Sequence, residues 1–294
     1  MNYYENIKEE LISNEVYKKV KDYSKNRSDL KTYYNVGKML SEAGKHYGES
    51  IIKEYSKKLT NELGKGYSSK NLFKIRKFYL VSEKVSTTSR QLTWSHYSEL
   101  LSLNNIDKIN YYVKITEEQN LSVRELRNKI KNNEYERLDN STKEKLKKEE
   151  RLQVQDLVKN PIILKTDKEI IKEKALQQLI LEDMSGFLKE LGNGFSFIDN
   201  EYKIKIGNNY NYIDLLLYNI TYNCYIVIEL KVTELKKEHI GQIETYMNYI
   251  DKNLKTINQE KTIGIIITKK DNKFIMEYCS DKRILNTTYE LQGV

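Results

Sequence analysis

The apolar residues of this chain change their spacing partway along, and that change limits the architectures open to it. Through roughly the first 135 residues they recur at three and four, the period of an α-helix, with almost no strand-like alternation. "NEVYKKVKDYSKN", "LKTYYNVGKMLSEAG", "SIIKEYSKKLTNELG", "SKNLFKIRKFYLVSEK" and "SVRELRNKIKNNEYERL" all carry that pattern. Gly44 and Gly64 follow helical stretches, and Ser68 or Ser69 is placed to cap the next one. From about residue 168 the texture changes. "KEIIKEKALQQLILEDMSGFLKELG" predicts one long amphipathic helix, ended by Gly192 and Gly194. Short β-rich runs follow: "FSFID", "YKIKIG", "YIDLLLYNI" and "CYIVIELKV", separated by turn residues such as Gly207-Asn208-Asn209 and Asn223. "KKEHIGQIETYMNYIDKNL" returns to helical period, and "TIGIIITKK" reads as a strand buried on both faces. The order predicts an all-α N-terminal domain and an α/β or α+β sandwich as the C-terminal domain.

Between the two textures, "STKEKLKKEERLQVQ" (141–155) is dense in charge and poor in apolar residues, and Pro161, the single proline, comes soon after it. The expected division is a helical domain over 1–138, a charged linker over 139–166 and an α/β domain over 167–294.

The charge is unevenly spread. Residues 1–150 hold 30 Lys and Arg against 22 Asp and Glu, whereas residues 151–294 hold 20 of each. The whole net charge of +8 therefore lies in the first half, and residues 51–100 carry 10 basic against 4 acidic side chains. Such a localised surplus suits a phosphate-bearing partner, and equally a merely soluble basic surface. The 24 tyrosines decide little, because compositional drift in an AT-rich genome enriches Lys, Asn, Ile and Tyr together. No apolar run approaches the roughly 18 residues that span a bilayer, and "MNYYENIKEE" lacks a basic region leading into an apolar stretch. Cys224 and Cys279 are too few for a disulfide framework or a cysteine metal site. A reduced, cytoplasmic protein with no membrane partner is expected. His46, His96 and His239 are scattered without metal-ligand spacing, Trp94 reads as core, and no phosphate-cradling glycine loop is present.

Three charges fall where charge is costly. In a strand over 225–232, Ile226, Ile228, Leu230 and Val232 share one face, while Val227, Glu229 and Lys231 share the other. Glu229 and Lys231 thus project from a run apolar enough for a sheet interior, and burying each ion costs several kcal/mol unless it is compensated. The preceding run repeats the oddity, setting Asp214 among Ile213, Leu215, Leu216 and Leu217. If the two runs pair through "NITYN", Asp214 and Glu229 approach each other beside a lysine. Two readings stay open: a satisfied structural ion pair, or carboxylates bridged by a divalent cation. Mg²⁺ typically takes one or two carboxylates and completes its shell with water and phosphate oxygens, which fits phosphodiester hydrolysis. The second Glu-Leu-Lys triplet, Glu234 to Lys236, opens the next helix, where charges are solvated.

A helix, an aspartate on a hairpin strand and Glu-x-Lys on the next strand resemble the PD-(D/E)xK nuclease superfamily, with Ile213-Asp214 in place of the usual Pro-Asp. "FLKELGNGFSFI", "YIDLLLYN", "IELK", "IGQIETYMNYID", "TIGIIIT" and "ILNTTYELQ" resemble, in order and spacing, the YhcG family of bacterial PD-(D/E)xK nuclease-domain proteins. The resemblance implies a restriction-endonuclease-like fold over 167–294 and a Mg²⁺-dependent deoxyribonuclease, with Mn²⁺ as a substitute. DNA repair, recombination or defence against foreign DNA would be its setting. It implies Asp214 and Glu229 as metal ligands and Lys231 as the catalytic lysine. Gln242 and Tyr246, four apart on one helix face, resemble a Gln-x-x-x-Tyr element that supports the site. Superfamily members often add an acidic residue from the preceding helix; Glu182 is favoured and Glu190 is the alternative. A nucleic-acid-binding protein that uses the nuclease-like core as a scaffold is the competing function.

"LTNELGKGYSSKNLFKIRKFYLV" (59–81) looks like a helix-turn-helix whose second helix offers Ser69, Lys70, Asn71, Lys74, Arg76 and Lys77 to DNA. From this stretch alone an ordinary helical hairpin with a solvated basic face is the better reading, and the family resemblance shifts it toward DNA binding. "YYNVGKMLSEAGKHYG" and "LSVRELRNKI" resemble the helical domain that precedes the nuclease in the same family, with Tyr33-Tyr34 where Tyr-Trp is common. A homodimer is the simplest arrangement for cutting both strands.

Overall fold

The structure, a computed structural model, describes residues 2–20, 25–85 and 92–293. Residues 21–24, inside the helix expected over 14–26, lie outside the described residues. The chain divides into two compact units, residues 1–135 and 136–294.

The first unit is helical throughout its described residues: α1 (Tyr3–Val20), α2 (Lys25–Tyr47), α3 (Ser50–Leu63), α4 (Ser69–Ser82), α5 (Trp94–Leu100), α6 (Ile106–Glu118) and α7 (Val123–Lys131). Its core gathers Ile7 and Leu11 of α1, Val36 and Leu40 of α2, Ile52 and Leu59 of α3, and Leu72 and Ile75 of α4. Helices α2 and α4 cross closely at Gly37. A Cβ on Gly37 would sit 2.6 Å from the Ile75 carbonyl oxygen and 2.7 Å from the Tyr79 Cβ, so only glycine lets these backbones approach. Gly44 does not follow a helix as expected; α2 continues past it to Tyr47, and the Arg76 guanidinium lies over the bare glycine. Gly64 does end α3, at φ 105°. Ser68 holds the N-cap position of α4, but its hydroxyl makes no capping bond. Trp94 packs against Tyr33 and edge-on to Phe78. His96 closes a capping box with Thr93 and reaches the Leu121 carbonyl, a structural role.

In the second unit the stretch expected to be a linker is folded. Residues 139–166 carry α8 (Asn140–Lys147), α9 (Val154–Leu157) and β1 (Ile162–Lys165). Its charges are used locally: Lys145 donates to both oxygens of the buried Asp156 at 2.8 Å. β1 pairs in parallel with β6 (Ile284–Gln292) and completes one edge of the sheet.

That sheet has six strands in the order β1-β6-β5-β4-β3-β2. β2 (Phe195–Ile206), β3 (Asn209–Asn219) and β4 (Cys224–Leu230) form an antiparallel meander. β4, β5 (Ile263–Thr268), β6 and β1 run parallel. The runs expected as two strands, "FSFID" and "YKIKIG", are one strand with a bulge between Phe197 and Asp199. The long helix expected over 168–192 is two, α10 (Glu173–Glu182) and α11 (Met184–Leu191). Asp183 leaves helical geometry, and its Oδ1 accepts from the Gly186 N–H at 3.0 Å. A short carboxylate competing for backbone N–H groups ends one helix and caps the next.

Helices cover both faces. Leu176 and Ile180 of α10 and Phe187 and Leu191 of α11 pack on Leu215, Leu217, Ile226, Ile228 and Leu230. On the other face α12 (Lys237–Asn253) lays Ile243, Tyr246, Met247 and Ile250 over Leu216, Val227 and Ile266, with α13 (Lys273–Glu277) at the margin. The alternation expected for β4 is therefore realised. No helix among the described residues is long and apolar enough to cross a membrane.

Candidate active site

β3 and β4 stay in register from Asn219 and Cys224 to Leu215 and Ile228. The next position on each strand is Asp214 and Glu229, at the end of the shared ladder. The Asp214 Oδ2 accepts from the Leu230 backbone N–H at 2.7 Å, and its carbonyl accepts from Gln177 Nε2 at 2.9 Å. Lys231 continues the parallel ladder through its N–H to the Ile267 carbonyl, and its Nζ donates to Glu229 Oε1 at 2.8 Å. The same ammonium lies 3.4 Å from Glu173 Oε2, in the first turn of α10.

Glu229 is 2% and Lys231 8% exposed, so these charges are indeed interior. Burial raises the Glu229 pKa to about 7, and the Asp214 charge adds to the rise against the pull of Lys231. Burial also raises Asp214, partly offset by the Leu230 N–H and by Lys231. For Lys231 burial acts downward, but Glu229, Glu173 and Asp214 outweigh it and hold the ammonium above its ordinary value. The lysine stays charged and the carboxylates are short of positive charge. Glu229 Oε2 has no hydrogen-bond partner although it is buried, a condition that costs about 1–3 kcal/mol or more for a charged acceptor.

That orphaned oxygen beside a second carboxylate fits a hard divalent cation, which takes oxygen ligands. Among the described residues no three His, Cys, Asp or Glu side chains gather into a metal cage. The donor set therefore suits an ion that keeps water and substrate oxygens in its shell.

Gln242 donates to the Tyr246 hydroxyl at 3.1 Å. Burial raises the Tyr246 phenol, the Gln242 hydrogen bond pulls against it, and the negative charges of Glu229 and Asp214 add to the rise. His239, in the first turn of α12, is lowered by burial and then by Lys231. Its Nδ1 accepts from the Lys236 N–H, which makes it a helix-start residue.

The acidic residue that α10 brings to the site is Glu173. Glu182 closes α10, nine residues and about 13 Å further along the axis, and meets Gln178. Glu190 pairs with Arg137 and accepts from the Ile163 N–H. A signal for Glu173 was present: Gln177 is a polar residue on the stripe of Leu176 and Ile180, and Glu173 lies one turn earlier on the same face.

The basic residues expected on α4 are divided. Lys77 Nζ donates to the Leu101 and Leu103 carbonyls and to Asn104, satisfying the end of α5. Arg76 pairs with Glu49 and reaches Ser41. Asn71 donates to the Gly66 carbonyl within the turn. Lys70 and Lys74 make no hydrogen bond or ion pair among the described residues, although Lys74 is near enough to Glu99 to help lower its carboxyl.

A mixed sheet carrying Asp and Glu-x-Lys where two strands end, flanked by helices on both faces, defines a PD-(D/E)xK nuclease core of restriction-endonuclease type. Residues 155–292 match the YhcG PDDEXK nuclease domain, and residues 9–137 match the DUF1016 N-terminal domain. The chain belongs to the YhcG family of PDDEXK nuclease-domain proteins. It is 26% identical over 309 residues to the Escherichia coli (strain K12) protein named "Putative nuclease YhcG", across 90% of this chain and 80% of that one. Among solved structures, a repair endonuclease from Pyrococcus abyssi aligns with 17% identity and a TM-score of 0.30 over 42% of this chain and 49% of its own. An EndoMS–dsDNA2 complex aligns with 17% identity and a TM-score of 0.29 over 44% and 48%. The chain thus spans about half the length of those structures.

Proposed function

We propose that this protein is a Mg²⁺-dependent nuclease that hydrolyses phosphodiester bonds of DNA, with Mn²⁺ able to substitute. The observation that carries the reading is the buried Glu229 carboxylate, one oxygen held by Lys231 and the other without a partner, beside Asp214. Membership of a nuclease family supports it.

Asp214 and Glu229 would hold the cation, which when bound polarises the scissile phosphate and lowers the pKa of an attacking water. The chain's own residues do the remaining work. Asp214 is fixed by the Leu230 N–H, and its backbone by Gln177, so its free oxygen has a set direction. Lys231 stays protonated and can donate to the attacking water or to a phosphate oxygen as negative charge develops there. Glu173 and Glu229 hold that ammonium from two sides, which positions it before substrate arrives. Gln242 and Tyr246 form a hydrogen-bonded pair on α12, the helix that covers the Val227 face from which Glu229 projects, and support the carboxylates from there. Lys70 and Lys74 of the helical unit supply phosphate contacts.

The test is cleavage by the full-length protein and its Glu229→Ala variant. Linear, circular, single-stranded and branched DNA and RNA would be tried with Mg²⁺, Mn²⁺ or chelator. Metal-dependent cutting that disappears in the variant is expected. Salt-sensitive binding without cutting in either protein would instead support the scaffold function.

A further inference from the structure

The β2–β3 hairpin runs on past β4. The β3–β4 pairing stops at Leu215, but β2 and β3 continue to pair from Tyr202 and Ile213 out to Ile206 and Asn209. Gly207, at φ 62°, closes a two-residue turn there. Residues 202–213 therefore form a two-stranded arm whose foot is Asp214. They contain two lysines and no acid.

The register sorts the arm into two faces. Tyr202 lies opposite Ile213, and Ile204 opposite Asn211; Ile204 and Ile213 are buried with the α12 core. Lys203 lies opposite Tyr212 and Lys205 opposite Tyr210, on the other face. All four of these side chains are exposed, Tyr210 at 56% and Tyr212 at 51%. The Lys203 ammonium sits 3.9 Å from the Tyr210 ring centroid, and Lys205 lies 5.9 Å from it. Asp199 and Glu201 are the acids nearest to the arm along β2, on the sheet side of it.

One face anchors the arm, so the other is pre-organised and loses little freedom on binding. That other face combines cations with solvent-exposed aromatic rings, the pairing that tracks a phosphate backbone while bases stack on the rings; the Lys203 ammonium over Tyr210 moves to a phosphate as a base takes the ring. A closed duplex keeps its base faces inside the stack, whereas an unpaired strand offers them. Along β3, Tyr212 is about 7 Å and Tyr210 about 14 Å from Asp214, one to three nucleotides' reach from the carboxylates.

We infer that the β2–β3 arm binds unpaired nucleic acid next to the scissile phosphate, Lys203 and Lys205 meeting phosphates while Tyr210 and Tyr212 stack on bases. The inference rests on the nuclease reading for the meaning of the neighbouring site, but its binding surface is separate. It makes the preferred substrate single-stranded or branched.

The experiment measures binding of a labelled single strand and a matched blunt duplex to the full chain in chelator, across a salt series, with cleavage in Mg²⁺ assayed in parallel. Tyr210→Leu/Tyr212→Leu should weaken single-strand binding about tenfold or more and duplex binding much less, while Tyr210→Phe/Tyr212→Phe retains it. Lys203→Met/Lys205→Met should make the single-strand salt dependence shallower by roughly 1.4 in log–log slope, about 0.7 for each phosphate deprived of its lysine. Wild-type cleavage together with arm variants that bind and cut normally overturns the arm assignment and leaves the nuclease reading standing. Absent cleavage with the Leu variants still losing single-strand binding does the reverse. Equal losses on duplex and single strand, or Phe variants as weak as the Leu variants, overturn the stacking role.

Discussion

The two units treat charge in opposite ways. In the helical unit the surplus of positive charge is spread over solvated faces, and several of its cations serve ordinary structure. Arg127 holds Glu99, Lys129 holds the buried Glu134, Arg76 holds Glu49, and Lys77 satisfies carbonyls at the end of α5. The sheet unit is neutral overall, yet it drives Glu229 and Lys231 into an interior built from Ile, Leu and Val, with Asp214 half-buried beside them. Net charge locates a surface; costly burial locates chemistry. A lysine that solvent would tolerate anywhere says little about function, while a carboxylate held at 2% exposure with an oxygen unpartnered demands a reason.

The largest effect that would sharpen this contrast is on cleavage. Asp214→Ala or Lys231→Met should reduce the single-turnover rate by about a hundred- to a thousandfold, whereas Lys70→Ala/Lys74→Ala should change binding and its salt dependence but not the rate at saturating substrate. A loss of equal size from the α4 pair would break the distinction.

Next in size is the cost of the buried carboxylate. With its pKa raised from 4.5 to about 7, Glu229 binds a proton in the folded protein over a window where the unfolded chain has released it. Stability in chelator should therefore fall as pH rises from 4.5 to 7, by roughly 2–3 kcal/mol. Glu229→Gln should flatten that dependence, and saturating Mg²⁺ should restore stability at pH 8 in the wild type only. Urea unfolding at pH 5 and pH 8 measures both.

The helical unit predicts a purely steric effect of similar order. Gly37→Ala gains helix propensity of about 1 kcal/mol, but its methyl meets the Ile75 carbonyl, which cannot move aside. A net loss of roughly 1–2 kcal/mol is expected, with cleavage per folded molecule unchanged. Smallest is Lys77→Ala, which should cost about 1 kcal/mol through the carbonyls it leaves unpaired and leave DNA affinity unaltered. A drop in affinity without a stability change would return Lys77 to the surface role that its position in the sequence suggested.

Much of this was legible in the chain. The change of period marked the helical and sheet units, and alternation alone put Val227 and Glu229 on the face opposite Ile226 and Ile228, as the two cores confirm. What escaped was set by contacts remote in sequence or by one side chain acting against its surroundings. "IILK" at 162–165 is four residues of strand beside dense charge, and it becomes a strand only because β6 pairs with it. Asp183 sits inside a helical pattern, and its capping of α11 could not be read from periodicity. That break matters for the site: with one continuous helix Glu182 looks nearest the following strand, whereas α10 presents its first turn, and so Glu173, to Lys231. On α4, basic composition was plain, but whether Arg76 or Lys77 faced solvent depended on Glu49 and on the end of α5.

The pairing of β1 with β6 gives the nascent chain a fixed timetable. A ribosome releases β1 first, then the strands that carry Asp214, Glu229 and Lys231, and only afterwards the residues that seat β1 and flank β5. Until Tyr289 can lie beside Ile162, the parallel half of the sheet lacks its β6 register and β5 has an open edge. A translation product halted before Ile284 would carry Asp214, Glu229 and Lys231 on a sheet whose β1 is unseated and whose β5 edge is bare.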